Sequence, residues 1–260
     1  MSYTDTDPIA EQLRKFKRAN KEAREIRARR RNYASAETYR NFLEGQSLQP
    51  VLPKVNQPVS NKTLPEFHFV DVVDISGSMS GRGRIKAANK GVKSNLESLK
   101  KTNPDDLYTL TTFHTYVNVG TTTPVKLSNA IQFHPKNLTA LCSAVCQTID
   151  KVRGTAKKTI IRVYTDGGEN HSDPKDIRRI ASLIQEVKSE GITVSYFGTD
   201  DDRSDAVTVL GIDETNTTVY DGSAKGYEMA LVETQTATDQ FVAKARAGKD
   251  VSEGFYVFDM

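Results

Sequence analysis

No apolar run in this 260-residue chain approaches the length needed to span a bilayer. Hydrophobic residues make up 37% of it and mean hydropathy is −0.53, the balance of a globular protein carrying a polar appendage. The opening Met-Ser-Tyr-Thr-Asp-Thr-Asp lacks the basic-then-apolar layout of a secretory signal. The expectation is a cytoplasmic protein with no membrane contact, in a bacterial host, or virion-associated if phage-encoded. Cysteine is scarce: Cys142 and Cys146 are the only two. Four apart in a helical stretch, they share a helix face, a poor geometry for a disulfide, and two thiols without further Cys or His make a poor zinc site. Reduced core thiols are expected. His68 lies within a strand pattern and His134 precedes Pro135, and neither has a triad-like neighbour in sequence. Internal repeats and low-complexity tracts are also lacking.

Charge is present but uneven. Residues 1–60 hold 12 Lys/Arg against 7 Asp/Glu, whereas the remaining 200 hold 24 against 26. The excess concentrates in 14–31, where ten basic residues face only Glu22 and Glu25. Ile9, Leu13, Phe16, Ala23 and Ile26 are spaced for one helical stripe. A basic amphipathic helix is read over about 8–32 and a shorter one over about 35–44, with Ser35 as its cap. Such an arm is a solvated helix packed through its stripe, a docking element for an acidic protein surface, or a phosphate binder for nucleic acid. Phe16 is the sole aromatic within 14–31, so base stacking is not indicated. Pro50, Pro53, Pro58 and Pro65 then mark a linker or extended strap. The division expected is an arm over 1–44, a linker over 45–64 and a globular domain over 65–260.

From Glu66 the pattern becomes alternating strands and helices. Phe67–Asp74 reads as a buried strand, and Ile85, Ala88, Val92, Leu96 and Leu99 give helical spacing over about 83–101. Leu107–Phe113 and Tyr116–Val119 read as strands joined by a tight turn at His114-Thr115. Leu141, Val145 and Ile149 mark a helix, Thr159–Thr165 a strand, and Ile177, Ile180, Ile184 and Val187 a helix ended by Gly191. A strand over Ile192–Phe197, a short helix near 204–210, a small strand over 217–220 and a helix over about 224–247 complete the series. Strands separated by helices of this length imply an α/β fold: a doubly wound, mainly parallel sheet, to which the hairpin adds one antiparallel edge strand.

Ligands of such sheets bind beyond the carboxyl ends of the strands. The first strand ends in Asp74-Ile75-Ser76-Gly77-Ser78, which offers one carboxylate and two hydroxyls at alternate positions in a Gly-relaxed loop. These are oxygen donors only, suited to a hard cation such as Mg²⁺. A later strand ends in Tyr164-Thr165-Asp166-Gly167-Gly168-Glu169-Asn170, so Asp166 is placed as Asp74 is. Between them, Asn137-Leu138-Thr139-Ala140-Leu141 opens a helix. Taken singly, Ser76 and Ser78 satisfy a turn and Asp166 caps a helix.

In order and spacing, the three segments resemble the metal-ion-dependent adhesion site of von Willebrand factor A (vWA) domains, and the resemblance covers about 66–260. It implies a Rossmann-like fold and a Mg²⁺ (or Mn²⁺) site held by Asp74, Ser76, Ser78, Thr139 and Asp166. It also implies a non-enzymatic protein-interaction module of the bacterial or phage single-domain type. In that family one metal position stays open to water or to a partner's Asp or Glu. Leu138 stands where a glycine often precedes the threonine, and Ser143 where many bacterial members carry aspartate; both departures bear on the rim rather than the ligand set. The runner-up is a haloacid-dehalogenase-like phosphohydrolase, with Lys157 or Lys158 as its lysine. That chemistry needs a second carboxylate two residues after the nucleophile, where this chain has Ser76. An RNA-associated vWA protein using the basic arm is a third reading. Among other residues, His171 reads as a solvated loop histidine, and Asp200, Asp201 and Asp202 as the negative start of a helix.

Overall fold

Phe67–Asp74 forms a strand, β1, buried at all eight positions. Its near-continuous apolar run suits a strand covered on both faces, and it lies at the centre of the sheet. A computed structural model of the chain describes residues 64–136 and 138–257. The expected arm over 1–44, and the expected linker apart from Leu64, lie outside the described residues.

After β1 come the helix α1 (Arg84–Thr102) and strands β2 (Leu107–Phe113), β3 (Val117–Val119) and β4 (Thr123–Pro124). Helix α2 (Leu141–Val152), strand β5 (Lys158–Tyr164), helix α3 (Pro174–Lys188) and strand β6 (Ile192–Thr199) follow. Helix α4 (Asp200–Thr208), strand β7 (Thr217–Tyr220) and helix α5 (Ala224–Arg246) complete the fold. The sheet order is β3-β2-β1-β5-β6-β7, with β1, β2, β5, β6 and β7 parallel. The antiparallel edge expected from the hairpin is present, in two pieces: β3 pairs with one end of β2 and β4 with the other. β4 is two residues long and contains Pro124, which lacks a donor and is tolerated only at an edge. Such a strand leaves no alternation for a sequence pattern to register.

Two apolar layers cover the sheet. Val70 and Val72 of β1 pack with Leu141, Val145 and Ile149 of α2 and Ile180, Ile184 and Val187 of α3. Phe67, Phe69 and Val73 face the other way, into layers built from α1 and α5. There the helices meet closely: a Cβ at Gly91 would lie 2.2 Å from Leu231 Cδ1, so a larger residue there forces Leu231 to move. Cys142 and Cys146 are free, buried thiols on the α2 face. Burial pushes both up in pKa, Cys146 to about 12, which leaves them protonated core groups as expected.

Helix α4 begins at Asp200, four residues earlier than the apolar spacing indicated. Its first turn is Asp200-Asp201-Asp202, negative charge that the helix N-terminus favours, and Asp202 accepts a hydrogen bond from Thr199. Side-chain caps start two of the other helices, α3 and α5. Asp173 accepts from Lys175 N at 2.8 Å ahead of Pro174, and Ser223 accepts from Gly226 N at 2.9 Å.

Candidate metal centre

The loop after β1 is fixed by its own backbone and by one apolar anchor. Ile75 N donates to Phe113 O at 2.8 Å, extending the β1–β2 ladder past Asp74. The chain then turns through a 3₁₀ segment, Gly77–Gly83, in which Met79 is fully buried. Removing that side chain from water contributes about 2 kcal/mol toward holding the loop. The serines on either side of Gly77 are thereby presented at the carboxyl end of the sheet.

Asp74 is wholly buried. One carboxylate oxygen accepts from Ser76 N at 2.6 Å and the other from the Thr165 hydroxyl at 2.6 Å. No cation pairs with it among the described residues. Burial pushes its carboxyl up to about 7; the hydrogen bonds from Thr165 and Ser76 oppose the rise, and the charge of Asp166 adds to it. A hydroxyl chain links the two aspartates' loops. Ser78 Oγ donates to Asp166 Oδ1 at 2.6 Å, and Ser76 Oγ lies 2.9 Å from Ser78 Oγ. Asp166 is raised as well, first by burial, with Ser78 and Arg84 pulling the other way.

Thr139 stands two residues before α2 and is buried. It is stapled to the Asp166 loop: Thr139 N donates to Asn170 Oδ1 at 2.9 Å, and Thr139 O accepts from Asn170 N at 3.1 Å and His171 N at 3.0 Å. The β2–β3 turn braces it from the other side, where Ala140 N donates to His114 O at 2.9 Å. Gly167 forms a bare floor between hydroxyls. A Cβ there would lie 3.4 Å from Ser78 Oγ and 3.9 Å from Thr139 Oγ1. All five residues singled out in the sequence are thus brought to one cluster.

The donor set fits a hard divalent cation. It offers two carboxylates and three hydroxyls, one carboxylate buried with no cation partner among the described residues, beside a glycine that puts no side chain between them. Among the described residues no cluster of three or more His, Cys, Asp or Glu side chains is placed to hold a metal. A cation here would therefore rest on hydroxyls as much as on carboxylates.

Sequence reasoning missed three participants. Thr165 holds Asp74. Glu169 organises the loop, accepting from Cys142 N (2.7 Å), His171 N (2.8 Å), Ser172 N (2.6 Å) and Ser172 Oγ (2.6 Å). Arg84 places Nε 2.8 Å from Asp166 Oδ2 and donates from Nη2 to Ser78 O at 2.7 Å. One signal for Arg84 was available: a cation at the first position of a helix opposes the macrodipole and calls for a partner. Leu138 is exposed, on the rim as expected. Ser143 is not on the rim: it is buried in the α2–α3 contact, its hydroxyl donating to Asp176 Oδ2 at 2.8 Å. Helix α2 turns that position inward, so the departure from the family pattern there is answered by packing. His171 is exposed, as a loop histidine.

No protein-family profile matches the chain, and no curated protein matches it in sequence. Its fold does match solved structures. The vWF domain of the type V pili tip protein Mfa5 from Porphyromonas gingivalis aligns with TM-score 0.53 at 12% identity, over 69% of this chain and 97% of that one. The pilus adhesin SpaC from Lactobacillus rhamnosus GG aligns with TM-score 0.53 at 14% identity, over 67% and 31%. Proximal thread matrix protein 1 from the mussel byssus aligns with TM-score 0.51 at 14% identity, over 67% and 46%. The match therefore spans less than half of the adhesin and of the byssus protein. At these identities the likeness establishes the fold: a vWA-type, Rossmann-like α/β sheet.

Proposed function

We propose that this chain is a non-enzymatic protein-interaction module that binds Mg²⁺ or Mn²⁺ at Asp74, Ser76, Ser78, Thr139 and Asp166 and receives a partner's Asp or Glu carboxylate there. The observation that carries the reading is Asp74, a fully buried carboxylate at the end of the central strand with no cation partner among the described residues. Bound, the ion supplies an electrophile to which a carboxylate oxygen makes a strong, directional contact. The chain's own part is to hold that ion under-neutralised. Three of the five donors are neutral hydroxyls, and Thr165 and Ser76 N already take up part of Asp74's charge. Pilus adhesins among the fold neighbours are consistent with such a role.

The phosphohydrolase alternative gains no support. Its lysine would have to approach Asp74, but Lys158 pairs with Phe67 at the opposite end of the strands. Seven residues of strand separate the two ends, about 23 Å at the rise of a parallel strand. Ser76, at the general-acid position, is a hydroxyl rather than a carboxylic acid, and it lies 2.9 Å from Ser78 Oγ.

Titration calorimetry with Mg²⁺ and Mn²⁺ tests the proposal. One ion is expected to bind per chain, and Asp74→Ala abolishes the signal while the protein stays folded. Equal metal binding by the two proteins would overturn it. Affinity purification in Mg²⁺ against EDTA then identifies the partner.

A further inference from the structure

Arg84 is a permanent cation built into a place that repels cations. It is the first residue of α1, where the free N–H groups carry positive partial charge. The fold makes room for it: a Cβ on Gly81 would stand 3.1 Å from Arg84 Nη2. The side chain is 16% exposed and that of Asp166 is fully covered, with Nε and Oδ2 2.8 Å apart. Yet neither atom makes an aligned hydrogen bond in this contact. The pair is held by charge, while Nη2 is anchored separately on Ser78 O. Arg162 and Asp71, deeper on the same sheet, form an aligned hydrogen bond as well as an ion pair. The Arg84 contact is thus the looser of the two and lies beside the candidate ligands.

We infer that Arg84 is the site's tethered counter-cation, which occupies Asp166 in the metal-free protein and against which a divalent ion must bind. The inference rests on the carboxylate-receptor reading and adds to it a residue that sets affinity. Asp74 and Asp166 bring two negative charges when ionised, and Arg84 returns one. A divalent ion added to that set leaves a net positive charge of one, where without Arg84 it would leave none. The arginine therefore weakens metal binding and leaves the loaded site more attractive to an incoming carboxylate.

The test uses the metal alone, with the full chain. Calorimetric titration with Mn²⁺ compares wild type, Arg84→Gln and Arg84→Lys. One charge against two across several ångströms costs about a factor of ten or more even in a water-like medium. Arg84→Gln is thus expected to bind at least about tenfold more tightly, and Arg84→Lys, which keeps the charge, to stay near wild type. Thermal denaturation gives a second readout: Arg84→Gln melts below wild type in EDTA, because Asp166 has lost its partner, yet gains more than wild type on adding Mn²⁺. Arg84→Met keeps the aliphatic stem and serves if the glutamine variant does not fold. Affinity equal to or weaker than wild type in a folded neutral variant overturns the role of Arg84 and leaves the receptor reading standing. Absence of binding in wild type and neutral variant alike overturns both.

Discussion

Strand β1 buries three ionisable side chains, His68, Asp71 and Asp74, each with no exposed surface, and the fold treats each differently. His68 is kept neutral. Burial lowers its pKa to about 4, and its two ring nitrogens bond Thr155 Oγ1 at 2.7 Å and Thr109 Oγ1 at 2.8 Å. Asp71 is charge-balanced: Arg162 Nε donates to it at 2.8 Å, and the Tyr108 and Tyr164 hydroxyls add bonds at 2.8 and 3.0 Å. Asp74 has strong hydrogen bonds but no cation partner among the described residues. The first two arrangements close within the protein, while the third is open, and it occurs at the carboxyl end of the strand where this sheet type places ligands. An ion-paired carboxylate and one hydrogen-bonded without a cation, three residues apart, make one strand closed at its middle and open at its end.

The comparison breaks most visibly by mutation of the two aspartate environments. Arg162→Met leaves Asp71 buried and unpaired and is expected to cost about 3–5 kcal/mol, with or without divalent metal. Asp74→Asn, measured beside it in EDTA, is expected to leave stability unchanged or to raise it, since it removes a buried charge the protein does not balance. Urea denaturation of both variants decides the matter. If Asp74→Asn were as destabilising as Arg162→Met, Asp74 would be a structural carboxylate and the contrast would vanish.

His68 sharpens the comparison through pH. Its native pKa of about 4 lies below the ordinary 6.5, so between these values the unfolded chain takes up a proton that the native protein refuses. Its contribution to stability is intact above about pH 6.5 and declines as pH falls toward 4, by at most about 3 kcal/mol. His68→Gln lacks this decline. Denaturation midpoints of the two proteins at pH 7.5 and pH 4.5 should therefore converge on acidification, and parallel profiles would show that His68 titrates normally.

Much of this architecture is legible from residue order. β1 was read with the bounds it has, because a central parallel strand is one apolar run that ends where the loop begins. The set of five oxygen donors comes from the resemblance to vWA domains, carried by three segments that the residue pattern places at two strand ends and a helix start. What escapes is set by tertiary contact. Arg84 matters because Asp166, 82 positions away in the chain, is folded against it. Ser143 aligns with a family position but is turned by α2 into the α3 contact. β4 is too short for a pattern, and α4 starts on aspartates that apolar periodicity ignores. Propensity and spacing locate elements, whereas the pairing of charges across loops needs the fold.

Glu169 marks the smallest effect and the most local one. It joins no ion pair among those resolved around the site, but its two oxygens take four hydrogen bonds, three of which close the loop between Asp166 and α3 upon itself. One of them comes from Cys142 N in the first turn of α2, where a carboxylate is favoured by the helix dipole. The loop is half-buried, so water replaces part of what is lost, and Glu169→Ala is expected to cost only about 1 kcal/mol of global stability. Its larger consequence is positional, because Thr139 and Asp166 lie on the two segments that Glu169 ties together. Divalent affinity should fall several-fold while the denaturation midpoint barely moves, the reverse of Arg162→Met, which should lower the midpoint with little effect on the affinity of the folded protein. Calorimetry and denaturation on both variants would test this, and a Glu169→Ala protein with wild-type affinity would show that the β5–α3 loop is held without it.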